Sequence, residues 1–366
     1  MIVGVFHPSL NGCGGAEWVA VNIINGLKSE GHQTVVLTNE RIDNSKIVSM
    51  FGQKVNVDKG VIFPLEPFPV TDLHNVYTDG VRTLLLKSIC DLVIDTHSNA
   101  ILPGANITYI HFPLLGRLQF SLSRAKASYY LPYQYYEKRT AKKPGRLILA
   151  NSAYTASNIR KITGASSSLL YPPISEAFYA GELGNGKRED LVVCVSRISP
   201  EKRLTLIPHI ARLTSEKIHF LILGIKQSAL ELQRIFEQIE TNDVSARVEL
   251  MTDVPRDKLL NILKTSKVFL HLAIGEHFGV SIVEAMASGC IPIVHNSGGP
   301  QEFVPAHLRF DTLVEAAMKI EKAVIDWTPK QSILFRQAAL PFTRESFLKR
   351  FLRMFKTYNQ NLTHCQ

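Results

Sequence analysis

The 366-residue sequence has no uninterrupted apolar run of about 18 residues, the length a membrane-spanning helix needs, and its apolar stretches are strand-sized. A chain that does not cross a bilayer is expected. No basic leader or small-residue cleavage site precedes the run Ile2-Val3-Gly4-Val5-Phe6, which follows Met1 directly, and this predicts a cytosolic location. The five cysteines (Cys13, Cys90, Cys194, Cys290, Cys365) are odd in number, far apart and never in a C-x-x-C pair. That spacing argues against a disulfide framework and a zinc site and leaves reduced fillers. The histidines lack metal-ligand spacing and no D-x-D pair occurs, so the sequence calls for no bound metal. Internal repeats of 20–50 residues and low-complexity tracts are also missing, which removes solenoids and arrays.

With 45% apolar and 20% charged residues, the chain is too apolar for disorder and too long for one ordinary domain, and two packed domains are expected. The net charge is +9, and much of it is local: between His111 and Arg146, eight basic residues (Arg117, Arg124, Lys126, Lys138, Arg139, Lys142, Lys143, Arg146) face Glu137 alone, 8 − 1 = +7. Such a stretch suits nucleic acid or an anionic membrane.

Hydrophobic periodicity divides the chain into two similar halves. The first opens with a strand at 2–6, a helix carrying Val19, Ile23, Ile24 and Leu27 at helical spacing, and a strand at 34–38; further apolar runs follow at 91–95, 107–112 and 147–150. The second half repeats the plan, with strands predicted at 191–195, 219–223, 268–272 and 291–294 and helices near 203–215, 227–239, 256–265 and 280–288. Tyr171-Pro172-Pro173 and the polar, Gly-rich stretch 181–188 mark a linker. This gives domains at 1–180 and 187–341, each a parallel sheet covered on both faces. An amphipathic helix with Phe347, Phe351, Met354 and Phe355 on one face lies within 343–360 and needs an apolar partner. Two doubly wound domains are expected to place their strand ends at a shared crevice, an architecture that serves several unrelated reactions.

Four segments carry candidate chemistry. In Gly275-Glu276-His277-Phe278-Gly279-Val280-Ser281-Ile282-Val283-Glu284, a loop after a strand turns into a helix near Gly279, whose N-terminal amides attract anions. A phosphate held there leaves Glu276 and Glu284 to accept hydrogen bonds from a polyol and a ribose; two solvated glutamates around a glycine turn are the plainer alternative. In Ser196-Arg197-Ile198-Ser199-Pro200-Glu201-Lys202-Arg203, Arg197 and Lys202 could neutralise a diphosphate, or form an ordinary basic loop. Gly12-Cys13-Gly14-Gly15-Ala16-Glu17 joins the first strand to the first helix and admits close backbone approach to a ligand. It is not a dinucleotide fingerprint, because Glu17 stands where that pattern needs glycine, and the Walker pattern is absent. In Tyr109-Ile110-His111-Phe112-Pro113, His111 ends a strand and could donate to a substrate hydroxyl or serve structure alone.

In content and order these segments resemble the GT-B glycosyltransferases of family 4, and the resemblance covers most of the chain. The family's E-x7-E pair matches Glu276 and Glu284, its basic pair Arg197 and Lys202, its glycine loop Gly14-Gly15, and its strand-end histidine His111. The wording of Glu276–Gly279, His295–Pro300, Tyr109–Pro113 and Tyr171–Pro173 is similar to that of GDP-mannose-dependent mannosyltransferases that extend dolichol-linked oligosaccharides.

The resemblance implies an α/β GT-B fold, two Rossmann-like domains facing a central cleft: an acceptor-binding domain on which the last helix packs back, and a donor-binding domain. It implies retaining, metal-independent transfer of a hexose from a nucleotide diphosphate to a hydroxyl of a glycan or lipid-linked acceptor. GDP-mannose is the donor of the narrower match, and a UDP-sugar is the alternative. Glu284 would hold the ribose, Glu276 the sugar hydroxyls, and the backbone of Phe278, Gly279, Val280 and Ser281 the sugar and phosphates. Arg197, Lys202 and Gly15 would take the leaving diphosphate, His111 the donor sugar, and Val254 the base. His111, Glu276, Arg197 and Lys202 are thus the expected catalytic set.

Eukaryotic relatives carry a hydrophobic N-terminal anchor. Here the aromatic and basic stretch 114–143 is expected to dock on an anionic membrane surface and receive a lipid-linked acceptor, unless it is a solvated hairpin with a buried aromatic face. The competing readings are a nucleic-acid-binding protein, against which the lack of any reading motif counts, a sugar-nucleotide epimerase, and an inactive nucleotide-sugar-binding partner.

Overall fold

A computed structural model describes the whole chain except residues 13, 64–71, 119–123, 182, 184–186 and 365–366; the side chains of 72–74, 117–129 and 363–364 are likewise outside the description. Two compact units form, one from Met1–Pro173 with Arg344–Gln366 and one from Ile174–Thr343.

The first unit runs β1 (Ile2–Phe6), α1 (Gly15–Ser29), β2 (Gln33–Thr38), α2 (Asn44–Phe51), β3 (Lys59–Ile62), α3 (Asp72–Ile89), β4 (Leu92–Asp95), β5 (Ile107–Ile110), α4 (Leu114–Leu118), α5 (Arg124–Ala141), β6 (Leu147–Ala150), α6 (Ala153–Thr163) and β7 (Ser168–Leu169). Its strands pair in the order β3-β2-β1-β4-β5-β6-β7, all parallel. The second runs β8 (Glu189–Ile198), α7 (Ile207–Arg212), β9 (His219–Lys226), α8 (Ala229–Thr241), β10 (Val248–Thr252), α9 (Arg256–Thr265), β11 (Ser266–His271), α10 (Val280–Ala287), β12 (Ile291–His295), β13 (Arg309–Phe310), α11 (Leu313–Ile325) and α12 (Pro329–Ala339). Its parallel order is β10-β9-β8-β11-β12-β13. Central strands such as β4 and β12 are near-continuous apolar runs because helices cover both faces of each sheet. In each unit the strand order reverses beside the first strand, between β1 and β4 and between β8 and β11. Ligands of doubly wound sheets bind outside the strand ends at such a reversal.

The second unit starts at Ile174, directly after Pro172-Pro173 and ahead of the Gly-rich stretch 181–188, so residues 174–180 cluster with it and not with the first unit. The Ile174 N–H donates to the Phe342 carbonyl at 2.8 Å, and Phe178 is buried beneath the Arg256 guanidinium. The proline pair thus marks the boundary, and these contacts tie the residues after it to the second unit.

The terminal helix α13 (Arg344–His364) returns to the first unit. Phe347, Phe351, Phe355 and Tyr358 recur every three or four residues and enter the core with Trp18, Ile23, Ile24 and Leu27 of α1 and its neighbours. Arg344 Nε donates to Asn22 Oδ1 at 2.7 Å and the Tyr358 hydroxyl to the Gly145 carbonyl at 2.6 Å. Phe351→Ala is expected to destabilise this unit by about 3–5 kcal/mol, the cost of emptying a buried aromatic site. Urea unfolding of the purified variant checks it.

Candidate active site

Lys202 and Glu276 are 74 residues apart, and topology brings them together. Lys202 ends the turn after β8, Glu276 lies in the loop after β11, and β8 and β11 are neighbours at the reversal. The Lys202 ammonium donates to Glu276 Oε2 at 2.6 Å. His271, the last residue of β11 and itself buried, meets the same oxygen through Nε2 at 3.0 Å. Glu276 Oε1 accepts from the His277 N–H at 3.1 Å. Burial alone would raise the carboxyl's pKa; the His271 hydrogen bond and charge, followed by Lys202, outweigh it and hold Glu276 well below the usual carboxylate range. The group is therefore an ionised acceptor with fixed aim.

Two glycines permit this loop. Gly279 caps α10 with φ +93°, in the left-handed region that favours glycine. Gly298 has φ +76°, and a Cβ there would come within 2.2 Å of the Glu276 carbonyl oxygen, which accepts the Gly299 N–H at 2.7 Å. The loop after β12 is thus pressed backbone-to-backbone on the Glu276 loop. The Ser297 hydroxyl adds to this by accepting the Gly275 N–H at 2.8 Å. As the first residues of α10, Val280 and Ser281 have amides with no intrahelical acceptor, and both residues are half-buried. The Phe278 ring packs in the core against Phe303 and Phe342, at 5.3 and 5.4 Å between ring centroids.

Glu284 lies inside α10, one turn beyond those amides. Burial pushes its carboxyl up to about 7, against the attraction of Arg256. Arg256 opens α9 and also bonds the Ser175 hydroxyl. Val254 is half-buried two residues before Arg256, in the loop after β10. Arg197 has a different setting from Lys202: it lies on β8 with its side chain 52% exposed, and its guanidinium is 3.6 Å from Glu201.

In the first unit, Gly14 precedes α1 and Gly15 opens it. The Gly14 N–H donates to Glu17 Oε2 at 2.8 Å, while Glu17 Oε1 lies 3.6 Å from His7 Nε2. Burial opposes ionisation of Glu17, but the nearby His7 ring and the Gly14 N–H prevail and lower its pKa to about 2. His7 joins Thr96, at the end of β4, through Nδ1 and the hydroxyl at 2.9 Å. His111, just past β5, meets the Thr96 carbonyl through Nε2 at 3.1 Å; because a carbonyl only accepts, that nitrogen carries a proton.

The basic stretch is less uniform than its composition. Lys138, Arg139, Lys142 and Lys143 are exposed, as are Leu131, Tyr135 and Tyr136, whereas Tyr130, Tyr133 and Glu137 are buried. Arg146 is committed to the carbonyls of Leu102, Pro103 and Ala105 and so leaves the free basic set. Residues 119–123, among them Phe120 and Leu122, lie outside the described residues, as do the side chains of Arg117, Leu118, Arg124, Lys126 and Tyr129. Along α3, Tyr77, Val81, Leu84, Leu85 and Ile89 form an exposed apolar stripe at helical spacing.

His271, Glu17 and Arg256 were not singled out by sequence reasoning. The available signal for His271 was a histidine closing a buried strand five residues before a candidate carboxylate; Glu17 and Arg256 needed tertiary contacts. Among the described residues, Cys90, Cys194 and Cys290 are free and buried, no group of three or more His, Cys, Asp or Glu side chains could hold a metal ion, and no helix is long and apolar enough to cross a membrane.

Residues 176–327 match the family model described as "Glycosyl transferases group 1". The chain is 25% identical to the "GDP-Man:Man(3)GlcNAc(2)-PP-Dol alpha-1,2-mannosyltransferase" of Candida albicans, with 82% of this chain aligned to 61% of that protein. The human protein of the same name is also 25% identical, over 82% of this chain and 73% of its own length. In fold, Anabaena Alr3699/HepE, solved with UDP and glucose, matches with a TM-score of 0.73 at 16% identity, over 98% of this chain and 100% of that one. WaaG, a glycosyltransferase involved in lipopolysaccharide biosynthesis, gives 0.69 at 13% identity over 93% and 94% of the two chains. The fold is GT-B.

Proposed function

On the premise that this chain is a glycosyltransferase whose residues 176–327 form a group 1 domain, we propose that it transfers mannose from GDP-mannose, with retention and without a metal, to a hydroxyl of a lipid-linked glycan. The observation that carries the reading is the Glu276 carboxylate, held ionised between Lys202 and His271 four residues before the start of a helix. A buried anion beside a cation and unpaired helical amides suits a ligand that has both hydroxyls and a diphosphate.

In this reading Glu276 accepts hydrogen bonds from mannose hydroxyls, and Glu284 accepts from the ribose. The guanine lies near Val254. The diphosphate rests on Lys202, Arg197 and the amides of Gly279, Val280 and Ser281. As the bond from C1 to the phosphate oxygen breaks, negative charge grows on the diphosphate, where fixed positive groups lower the barrier most. The acceptor oxygen bonds C1 from the same face, and its proton passes to the departing phosphate oxygen. For Gly14, Gly15 and His111, a part in donor binding rests on the resemblance alone. The names of the relatives support the choice of mannose and of a lipid diphosphate acceptor.

Thermal denaturation in a panel of GDP- and UDP-sugars tests this reading. GDP-mannose is expected to raise the melting temperature most, with or without EDTA, because a ligand of the native state stabilises it. A larger response to a UDP-hexose would favour the second donor class, and a shift abolished by EDTA would remove metal independence.

For the acceptor we propose docking on an anionic membrane face through residues 114–143, from which the reaction is reached on the cytoplasmic side. Support comes from the exposed Lys138, Arg139, Lys142 and Lys143 beside exposed Leu131, Tyr135 and Tyr136, with the apolar stripe of α3 on the same unit. Each basic side chain near an anionic surface contributes about 1 kcal/mol. The protein is expected to sediment with phosphatidylserine vesicles and not with neutral ones, and replacing the four cations by glutamate should abolish sedimentation. Equal binding to both vesicle types would contradict the electrostatic part.

A further inference from the structure

The Lys202 ammonium donates to Glu276 Oε2 at 2.6 Å. A donor claims both at once, the ammonium for the diphosphate and the carboxylate for the sugar hydroxyls. When Lys202 turns to the phosphates, Glu276 keeps the desolvation of its site and loses its shortest partner. A carboxylate in that position tends to protonate, and a protonated one accepts poorly.

From this geometry we infer that His271 is the positioning residue that keeps Glu276 aimed and ionised while Lys202 is engaged by the donor. This rests on the proposed function. His271 closes β11, is paired in register with Val294 of β12, and has a side chain only 4% exposed. Strand pairing fixes its backbone and burial fixes its ring, so its place does not depend on the ligand. Its Nε2 lies 3.0 Å from Glu276 Oε2. A carboxylate oxygen can only accept, so Nε2 carries the proton. The charged and titratable groups around the pair are Lys202 from the turn after β8, His295 from the end of β12, and Arg203, which donates to the Leu272 carbonyl at 3.4 Å. Asp311 acts on His295 one shell further out, and Glu276 Oε2 is the acceptor that the His271 Nε2–H meets.

A glutamine at 271 can place an amide N–H where Nε2 stands, an asparagine is too short to do so, and a leucine has no donor. His271→Gln is therefore expected to keep transfer from GDP-mannose within about tenfold of wild type. His271→Leu and His271→Asn are expected to lose about 100-fold, mostly in kcat, because a slightly misplaced group in an assembled site costs that much. In these two variants the acid limb of kcat, measured at saturating donor so that the Glu284-linked fall in donor affinity does not enter, should also move to higher pH, since Glu276 is then more easily protonated. The Gln/Asn pair keeps the test open if His271→Leu does not fold. Equal activity of the Gln and Asn variants, or an unmoved acid limb in the Asn variant, would overturn the inference.

Nitrogen-15 shifts of the His271 ring in the wild type give a second test that needs no substrate. A protonated Nε2 is expected, and a neutral ring protonated only at Nδ1 would overturn the inference. Glu276→Gln, assayed in parallel, separates the two levels of the argument. If that variant transfers mannose at the wild-type rate, the proposed function fails; if it is impaired while His271→Asn behaves as wild type, the role of His271 alone fails.

Discussion

Glu276→Gln is expected to lower kcat for mannosyl transfer by about 100-fold or more while the protein still binds the GDP moiety. The amide retains the shape and one acceptor oxygen but no charge, and interactions that strengthen as charge develops on the sugar ring and diphosphate carry most of the rate. Steady-state kinetics together with calorimetric titration of GDP separates the effects on turnover and on nucleotide binding. The substitution should also lower the melting temperature at neutral pH, since the Lys202 ammonium, 16% exposed, and the nearly buried His271 lose a charged acceptor. The sign of the pH effect follows from the lowered pKa. Glu276 contributes stability above its ordinary value of 4.5, and this is lost as pH falls through its lower folded-state value. The wild type and the variant should therefore converge in acid.

Glu284 has the opposite sign. Its carboxyl is raised from 4.5 to about 7 by burial, with Arg256 only partly opposing. The stability associated with the neutral form is complete below pH 4.5 and lost as pH rises through about 7. Glu284→Gln cannot ionise, so it should become more stable than wild type as pH rises, by up to about 3 kcal/mol at pH 8. Ligand binding should go the other way. With the proposed ribose hydroxyls donating to the ionised carboxylate, donor affinity in the wild type should weaken below pH 7, towards about tenfold per unit. The Gln variant should show no such slope and bind about 10- to 100-fold more weakly at pH 8, the loss of a hydrogen bond to a charged group. Melting curves and donor titrations across pH 5.5–8.5 measure both. A variant that is less stable than wild type at pH 8 yet binds normally would contradict this account of Glu284.

Much of the architecture was legible because parallel strands covered on both sides read as short, continuous apolar runs. Ile2–Phe6, Leu92–Asp95 and Ile291–His295 are such runs. Edge and terminal strands lack that signature. Lys59–Ile62 is mostly exposed and Val248–Thr252 only partly buried, so neither stood out. The α10 helix was anticipated because its entry needs Gly279 and its apolar side chains keep helical spacing. Beyond this, spacing could mark Lys202 and Glu276 as separate candidates, but their meeting depends on which strands adjoin, a property of sheet order. The same holds for His271, which becomes a partner of Glu276 only through the return of the loop after β11. Arg146 illustrates the reverse error: counted as part of a free basic surface, it is engaged by three carbonyls of one loop. A charge run reports composition, and the fold decides which of its members face solvent.

A crystal structure with intact GDP-mannose, or a non-hydrolysable analogue, bears most directly on the central claim. The account predicts mannose hydroxyls on the Glu276 carboxylate, the ribose diol on Glu284, and the diphosphate between Lys202 and the first amides of α10. A nucleotide bound with its phosphates away from Val280 and Ser281, or with Lys202 still closed on Glu276 and neither group touching the ligand, would contradict it.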